Sequence, residues 1–256
     1  MKLSAMRLLP IALLFTLLLV PQLSYAYFNV TRLITTVYLG NSTSAQVSET
    51  IDVFVSNSSI NQYIRDRSAV NQTLSNWQAV LNTHLLIEHI FNAKYSIKNF
   101  TLLPGPISMQ GNNATAYLTI DYTALNVTNI KEIAPRKFEY TFNDSAFNFE
   151  HTASGQQLFQ NATLIFVIPK GAKVVMPIYP LPDYPTGNYE NATKFSWFEA
   201  EPLNDFSFSY IITESLQQEV LNFFANAYTE HTLYFYLTIA VILVLIAAYA
   251  YTKIRK

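Results

Sequence analysis

The chain has no cysteine. No disulfide can brace it, and no thiol mechanism is open to it. A secreted animal ectodomain of this size would usually carry disulfides, so stability has to come from a hydrophobic core. Glycine is also scarce, at 6 residues. No phosphate loop, dinucleotide Gly motif or Gly-x-Ser-x-Gly elbow occurs. Charge is sparse and balanced, with 16 Lys and Arg against 17 Asp and Glu. A near-neutral chain without a basic stripe carries no nucleic-acid footprint, and the balance is not the strongly acidic one of a halophile.

What is abundant is apolar sequence at the two ends. Lys2 and Arg7 precede the apolar run 8–20, Pro21 follows, and Ser24-Tyr25-Ala26 places small residues where a signal peptidase cuts. Residues 1–26 therefore read as a secretory signal, with Tyr27 as the first mature residue. A retained anchor is the alternative, but about 13 apolar residues fall short of a span. At the other end, 233–251 is uncharged and apolar apart from Thr238. At 1.5 Å per residue it reaches about 28 Å, enough for a bilayer core. Tyr234 and Tyr236 lie at one end and Tyr249 and Tyr251 at the other, where amphipathic rings favour the interface, and Lys253, Arg255 and Lys256 follow. This predicts a single pass through the cell membrane, with the N-terminus outside and a basic cytoplasmic tail, 252–256. Such a tail holds no folded signalling domain; its charges secure topology and meet anionic lipid headgroups.

Between these ends lie ten Asn-x-Ser/Thr triplets, at Asn29, Asn41, Asn57, Asn71, Asn99, Asn113, Asn126, Asn143, Asn161 and Asn191. Each is a candidate N-glycosylation acceptor, because the hydroxyl two residues on helps to present the Asn amide. The same stretch holds 21 Asn, of which roughly three would form the triplet by chance. Strand alternation supplies a competing origin. In Asn29-Val30-Thr31, Asn99-Phe100-Thr101, Asn126-Val127-Thr128 and Asn161-Ala162-Thr163 the middle residue is apolar. On a half-buried strand Asn and Thr then share the solvent face with no glycan required. Many triplets, no cysteine and a short signal together suggest an archaeal cell surface.

The outer segment is rich in β-branched, aromatic and turn-forming residues and free of low-complexity tracts. Strands are expected at 28–39 and 45–55, joined at Gly40-Asn41-Ser42, then at 95–103, up to 109, and 114–124. Residues 138–142 and 147–151 suggest a hairpin around Asn143-Asp144. One long helix is expected over 68–91, with Val70, Leu74, Trp77, Leu81, Leu85 and Phe91 as its apolar stripe, packed on the sheet. Residues 153–160 suggest a seam between an N-terminal β half (27–152) and a C-terminal β half (161–212) with strands at 163–168, 173–179, 194–198 and 206–211. Thr213 or Ser215 caps a juxtamembrane helix, 213–231, which runs toward the span.

Candidate chemistry is thin. His84, Glu88 and His89 are one residue longer in spacing than an inverted zinc-peptidase motif, and His89 lies roughly 140° round a helix from His84. That set does not make a zinc site. Asp183, Glu190, Glu199 and Glu201 flank a loop containing Pro180, Pro182 and Pro185, with nothing in the sequence to fix their geometry as a hydrolytic pair. Around that loop Tyr179, Tyr184, Tyr189, Trp197 and Phe198 form the leading candidate binding cluster, since aromatic faces stack on sugars or cradle cations. Core packing competes for Trp197 and Phe198. No cofactor or metal is implied.

The run Ile165-Phe166-Val167-Ile168-Pro169-Lys170-Gly171-Ala172-Lys173-Val174, followed by Pro180-Leu181-Pro182-Asp183 and Phe195-Ser196-Trp197, resembles archaeal membrane-anchored surface proteins. In these a strand, a Pro-x-Gly-Ala turn and a Trp-bearing strand belong to a β-sandwich just outside the span. The likeness implies fold and location and brings no activity with it. The expected molecule is mainly β (α+β), an antiparallel sandwich-like ectodomain with one long packed helix, a juxtamembrane helix and a transmembrane helix. Its expected role is non-enzymatic, as an envelope component or an accessory subunit of a membrane complex. The expected partners are the lipid bilayer and a membrane or surface protein. A surface module that binds a glycan or adhesion partner through the 179–198 loop is the alternative, and an extracellular hydrolase a third reading.

Overall fold

The computed structural model describes residues 28–70, 72–82, 86, 96–146, 148–153, 155–198, 201–217, 219–221, 228 and 232–254. The protein is mainly β. Two long strands come first, β1 (Phe28–Leu39) and β2 (Ala45–Val55). Every second residue of β2, from Ala45 to Val55, is buried, which is the period-2 signature of a strand with one packed face. β3 (Ile97–Pro104), β4 (Ser108–Gln110) and β5 (Asn113–Ala124) follow, and β5 shows the same alternation. Next come β6 (Thr128–Ala134), β7 (Lys137–Phe142), β8 (Glu150–Thr152) and β9 (Gly155–Gln157). The set closes with β10 (Ala162–Val167), β11 (Lys173–Tyr179), β12 (Lys194–Phe198) and β13 (Ser207–Thr213).

These strands form a large sheet in the order β12-β10-β1-β2-β5-β3, with β4 also on β5, and a small sheet in the order β11-β13-β7-β6. β8 and β9 make a separate ribbon. β1 and β10 run parallel, with Leu33 opposite Ala162 and Tyr38 opposite Val167; the other pairings of the two sheets are antiparallel. The expected division into halves at 153–160 does not hold. Each sheet takes strands from both sides of that point, because β10 and β12 extend the large sheet beside β1 while β11 and β13 complete the small one beside β7. Neither half can pair its own edges without the other.

The sheets meet through aromatic side chains. Phe166 of β10 lies 4.8 Å between ring centroids from Phe142, 5.1 Å from Phe208, 5.4 Å from Trp197 and 5.5 Å from Phe206. Most of these contacts are edge-on or tilted, the favourable geometry for aromatic quadrupoles. Tyr210 of β13 donates its hydroxyl to the Gly40 carbonyl at 2.7 Å, tying the small sheet to the end of β1. Burial pushes that hydroxyl's pKa upward, with Tyr140 alongside adding to the shift. Deeper in the large sheet, buried Glu49 accepts the Tyr122 hydroxyl, so a carboxyl shares the packed face with Val47 and Ile51.

The single helix expected over 68–91 is corrected. Within that span the described residues hold one short helix, α2 (Leu74–Leu81), and a separate helix, α1 (Ile60–Arg67), precedes it. Local side chains end one and start the other. The Gln72 amide donates to the carbonyls of Asp66, Arg67 and Ala69, and Thr73 N-caps α2 by accepting from the Asn76 N–H at 3.3 Å. A side chain that satisfies orphan helix-end groups makes a break as stable as continuation. Asn82 then closes α2 in the left-handed conformation, at φ 50°. Val70, placed in the expected stripe, is 98% exposed, and 83–85 and 87–91 lie outside the described residues. The two helices pack through Tyr63 and Trp77, 5.5 Å apart edge-on, with Phe28 of β1 at 6.4 Å from Tyr63. Buried Tyr63, its pKa pushed up to about 12 by desolvation, donates to the Gly105 carbonyl at 2.9 Å.

The hairpin expected around Asn143-Asp144 is also corrected. β7 pairs with β6 on one side and β13 on the other, while Glu150–Thr152 pairs with Gly155–Gln157. At the C-terminal side, residues 216–217 and 219–221 are helical, and most of the remaining expected juxtamembrane segment lies outside the described residues. The backbone of 233–251 falls within α3 (Thr232–Ile254). Among the described residues no helix is long and apolar enough to cross a membrane. Within α3 the longest unbroken run of described side chains is 235–246, about 18 Å of helix against about 30 Å of hydrocarbon.

The aromatic contact between sheets should dominate stability. Phe166→Ala is expected to cost about 3–5 kcal/mol, through lost transfer energy and a cavity that neighbouring rings cannot fill. Tyr210→Phe should cost about 1–3 kcal/mol by orphaning the Gly40 carbonyl. Urea unfolding of both variants measures this, and a Phe166→Ala midpoint equal to wild type would refute it.

Candidate functional site: the proline loop and the glycosylation triplets

The loop 180–193 is held against the edge of β12 by its own backbone. Ser196 donates to the Tyr184 carbonyl at 2.8 Å, and its carbonyl accepts from Asp183 and Tyr184 at 2.9 and 3.3 Å. Covering an edge strand in this way removes a template for unwanted pairing. Pro180, Pro182 and Pro185 suit the role, since each lacks the N–H that a further ladder would need. Asp183 accepts the Phe198 N–H at 2.8 Å, and Asn188 accepts the Glu190 N–H at 3.0 Å. The loop starts at Tyr179, opposite Ser207, whereas the chain leaves β13 at Thr213 beside the β6–β7 turn, where Glu214 donates to the Arg136 carbonyl. Its start therefore lies about 20 Å along β13 from the exit toward α3.

The five aromatics do not share one face. Trp197 is fully buried among Phe166, Phe206 and Phe208, and its indole N–H donates to the Pro180 carbonyl at 3.0 Å. It belongs to the core and is withdrawn as a binding residue. Tyr189 is half-buried, 6.0 Å from Phe195. Tyr179 and Tyr184 are exposed, at 54% and 57%, and Phe198 is exposed as well. Two neighbours that the sequence did not single out, Met176 and Leu181, are exposed beside them. Their signal was weak, because an exposed Leu between two prolines has no periodicity to mark it.

The acids around the loop are mostly engaged in structure or in water. Asp183 caps the Phe198 amide, and Glu190 is exposed. Glu201 is half-buried and its pKa is raised, first by desolvation and second by Asp183. Glu199 lies outside the described residues, as do His84, Glu88 and His89. Among the described residues no group of three His, Cys, Asp or Glu side chains could hold a metal ion.

The triplets are placed differently from the loop aromatics. Asn29, Asn41, Asn57, Asn99, Asn126, Asn161 and Asn191 are exposed, Asn113 and Asn143 are half-buried, and Asn71 lies outside the described residues. Of the four triplets with an apolar middle residue, three keep the expected alternation: Val30, Phe100 and Ala162 are the more buried members. Asn126-Val127-Thr128 does not. There Asn126 has φ 60°, and Thr128 turns inward to donate to the Ser42 carbonyl at 2.8 Å. The Asn57 triplet likewise ends on a buried hydroxyl, Ser59, which is bonded to Ser56 at 2.8 Å. No protein-family model matches this chain, and the search of curated proteins found no match.

The loop geometry separates core from surface in a measurable way. Trp197→Ala should lower stability by about 3–5 kcal/mol. Tyr179→Ala and Tyr184→Ala should each stay within about 0.5 kcal/mol of wild type, as surface changes do. Thermal unfolding of the three variants checks the assignment, and a large loss at Tyr184 would reverse it.

Proposed function

We propose that this chain is a membrane-anchored surface glycoprotein. Its β domain is displayed outside the cell on α3, and it acts without catalysis as an envelope component or an accessory subunit of a membrane complex. The carrying observation is that none of the nine described triplet asparagines is buried, in a domain whose strands β2 and β5 bury every second side chain. A second observation supports the anchor. Along 235–246 every described side chain of α3 is exposed or half-exposed although the run is aliphatic and aromatic apart from Thr238, with Leu243, Val244 and Leu245 each above 60%. A helix that is apolar on all sides and uncovered by protein suits a lipid environment. The resemblance of 165–197 to archaeal membrane-anchored surface proteins agrees with this reading.

Exposed Tyr179 and Tyr184 favour a second reading, in which the loop captures a glycan or an adhesion partner at the end of the small sheet away from the exit toward α3. A glycan array probed with wild type and with Tyr179→Ala/Tyr184→Ala addresses it, and unchanged binding would remove the site. The hydrolase reading has least support, because Asp183 already serves a backbone amide.

Extraction tests the anchor. Alkaline carbonate treatment of membranes should leave the full chain in the pellet, and Leu243→Arg/Val244→Arg should move it to the supernatant, since a charge at mid-bilayer costs about 2.5–3.5 kcal/mol on insertion scales. A wild-type chain found in the soluble fraction would overturn the proposal. Native mass measurement in mild detergent then separates its two forms: a co-migrating protein marks an accessory subunit, and a lone chain an envelope component.

A further inference from the structure

The large sheet has one packed face and one open face, and the open face sets apolar residues among polar ones such as Thr36, Gln46, Ser48, Thr50, Thr119 and Asp121. Antiparallel sheets with one wet face normally present polar residues there. Here Ile34, Tyr38, Phe54, Tyr117, Ile165 and Val167 all lie on it, half-buried or exposed. Register fixes their common side: Ile165 is opposite Thr36, Val167 opposite Tyr38, and Tyr117 opposite Asp52. They fall in two groups, Ile34, Tyr38, Ile165 and Val167 on β1 and β10, and Phe54 and Tyr117 on β2 and β5, each a small apolar area for something to cover.

Four glycosylation triplets open onto the same face. Asn29 is directly opposite Phe54, which is directly opposite Thr115, the hydroxyl residue of the Asn113 triplet. Asn99 reaches the Thr123 hydroxyl at 3.4 Å, and its partner Thr101 is opposite Asp121. Asn161 stands immediately before β10, whose Thr163 is opposite Ile34. The hydroxyl residues of these triplets thus sit on β1, β3, β5 and β10, the last of them four strand spacings, or about 19 Å, from β3. Between Thr31 and Thr115 the face carries a groove of about 400 Å³, lined also by Asp52 and Tyr117. Asp52 is paired with Arg32 at 2.8 Å, so the groove has both hydrogen-bonding groups and an aromatic wall. The asparagines of the other described triplets, Asn41, Asn57, Asn126, Asn143 and Asn191, lie outside the strands of this sheet.

We infer that the open face of the large sheet is the bed for the chain's own N-linked glycans, attached at Asn29, Asn99, Asn113 and Asn161, which cover its apolar residues. This rests on the surface-glycoprotein reading and names what occupies that surface. Sugars suit the face because their C–H sides pack on rings such as Phe54 and Tyr117 while their hydroxyls meet the surrounding threonines. Tethering at four points makes each contact intramolecular, so weak stacking is enough to hold the cover in place. The small sheet stays free of it: Tyr179 belongs to β11, whereas Tyr184 pairs with Ser196 at the β12 edge of the large sheet.

The test uses the full chain purified from membranes of a glycosylating host. Thr→Ala at positions 31, 101, 115 and 163 removes all four triplets and keeps every asparagine, and Thr→Ser at the same positions keeps the triplets as the folding control. Glycopeptide mass spectrometry reads occupancy, and hydroxyl-radical footprinting reads cover. Glycan is expected at the four asparagines, and labelling of Tyr38 and Tyr117 should rise several-fold in the Thr→Ala variant alone, with Tyr179 unchanged. Occupancy with equal labelling of Tyr38 and Tyr117 in both variants would overturn the inference. Glycan at other asparagines but at none of these four would overturn it too, and would leave the surface-glycoprotein reading standing. A chain with no glycan anywhere would remove both.

Discussion

The packing of aromatic rings around Phe166 is the contact on which the rest of the structure depends. With no disulfide available, the two sheets are held by side-chain burial and by a few bonds between them, such as that from Tyr210 to Gly40. The rings come from strands far apart in sequence: Phe142 from β7, Phe166 from β10, Trp197 from β12 and Phe208 from β13. Bringing them together requires the parallel pairing of β1 with β10, which places late strands beside the first one. The core and the interleaved topology are therefore one constraint. Parallel pairs need long crossovers, and here residues 40–161 supply that crossover.

Much of the fold was legible where one rule decided it. β1, β2, β11 and β12 begin and end where alternation and turn residues place them. β6 was missed because Asn129 to Ile133 are all exposed, leaving no alternation to read. The helix expected over 68–91 was misjudged because helical spacing of apolar residues does not register polar caps: Thr73 starts α2 and left-handed Asn82 closes it. The split into halves failed for a different reason. Sequence proximity says nothing about which edges pair when a parallel crossover spans more than a hundred residues.

The candidate sites divide along the same line. Exposure of the triplets followed from local chemistry, since Asn at strand starts and turns stays wet, and the structure keeps seven of them exposed. The aromatic loop needed tertiary information. Trp197 and Phe198 are neighbours in sequence, yet one fills the core and the other is exposed, because β12 turns successive residues to opposite sides. Where two sequence cues disagreed, burial decided: Thr128 satisfies the spacing of a triplet and still points inward to bond Ser42. A triplet records an opportunity for modification, and the folded surface determines which opportunities remain open.

Display of the β domain outside the cell, on a helix whose tail stays inside, is the claim that joins these observations. Lys170 and Lys173 are exposed in the turn before β11 and at its start, while Lys253 follows the apolar segment. Labelling intact cells with a membrane-impermeant amine reagent, followed by peptide mass spectrometry, compares them directly. Lys170 and Lys173 should be modified on intact cells, and Lys253 only after the cells are permeabilised. Modification of Lys253 on intact cells, with Lys170 and Lys173 protected until permeabilisation, would contradict the outward orientation.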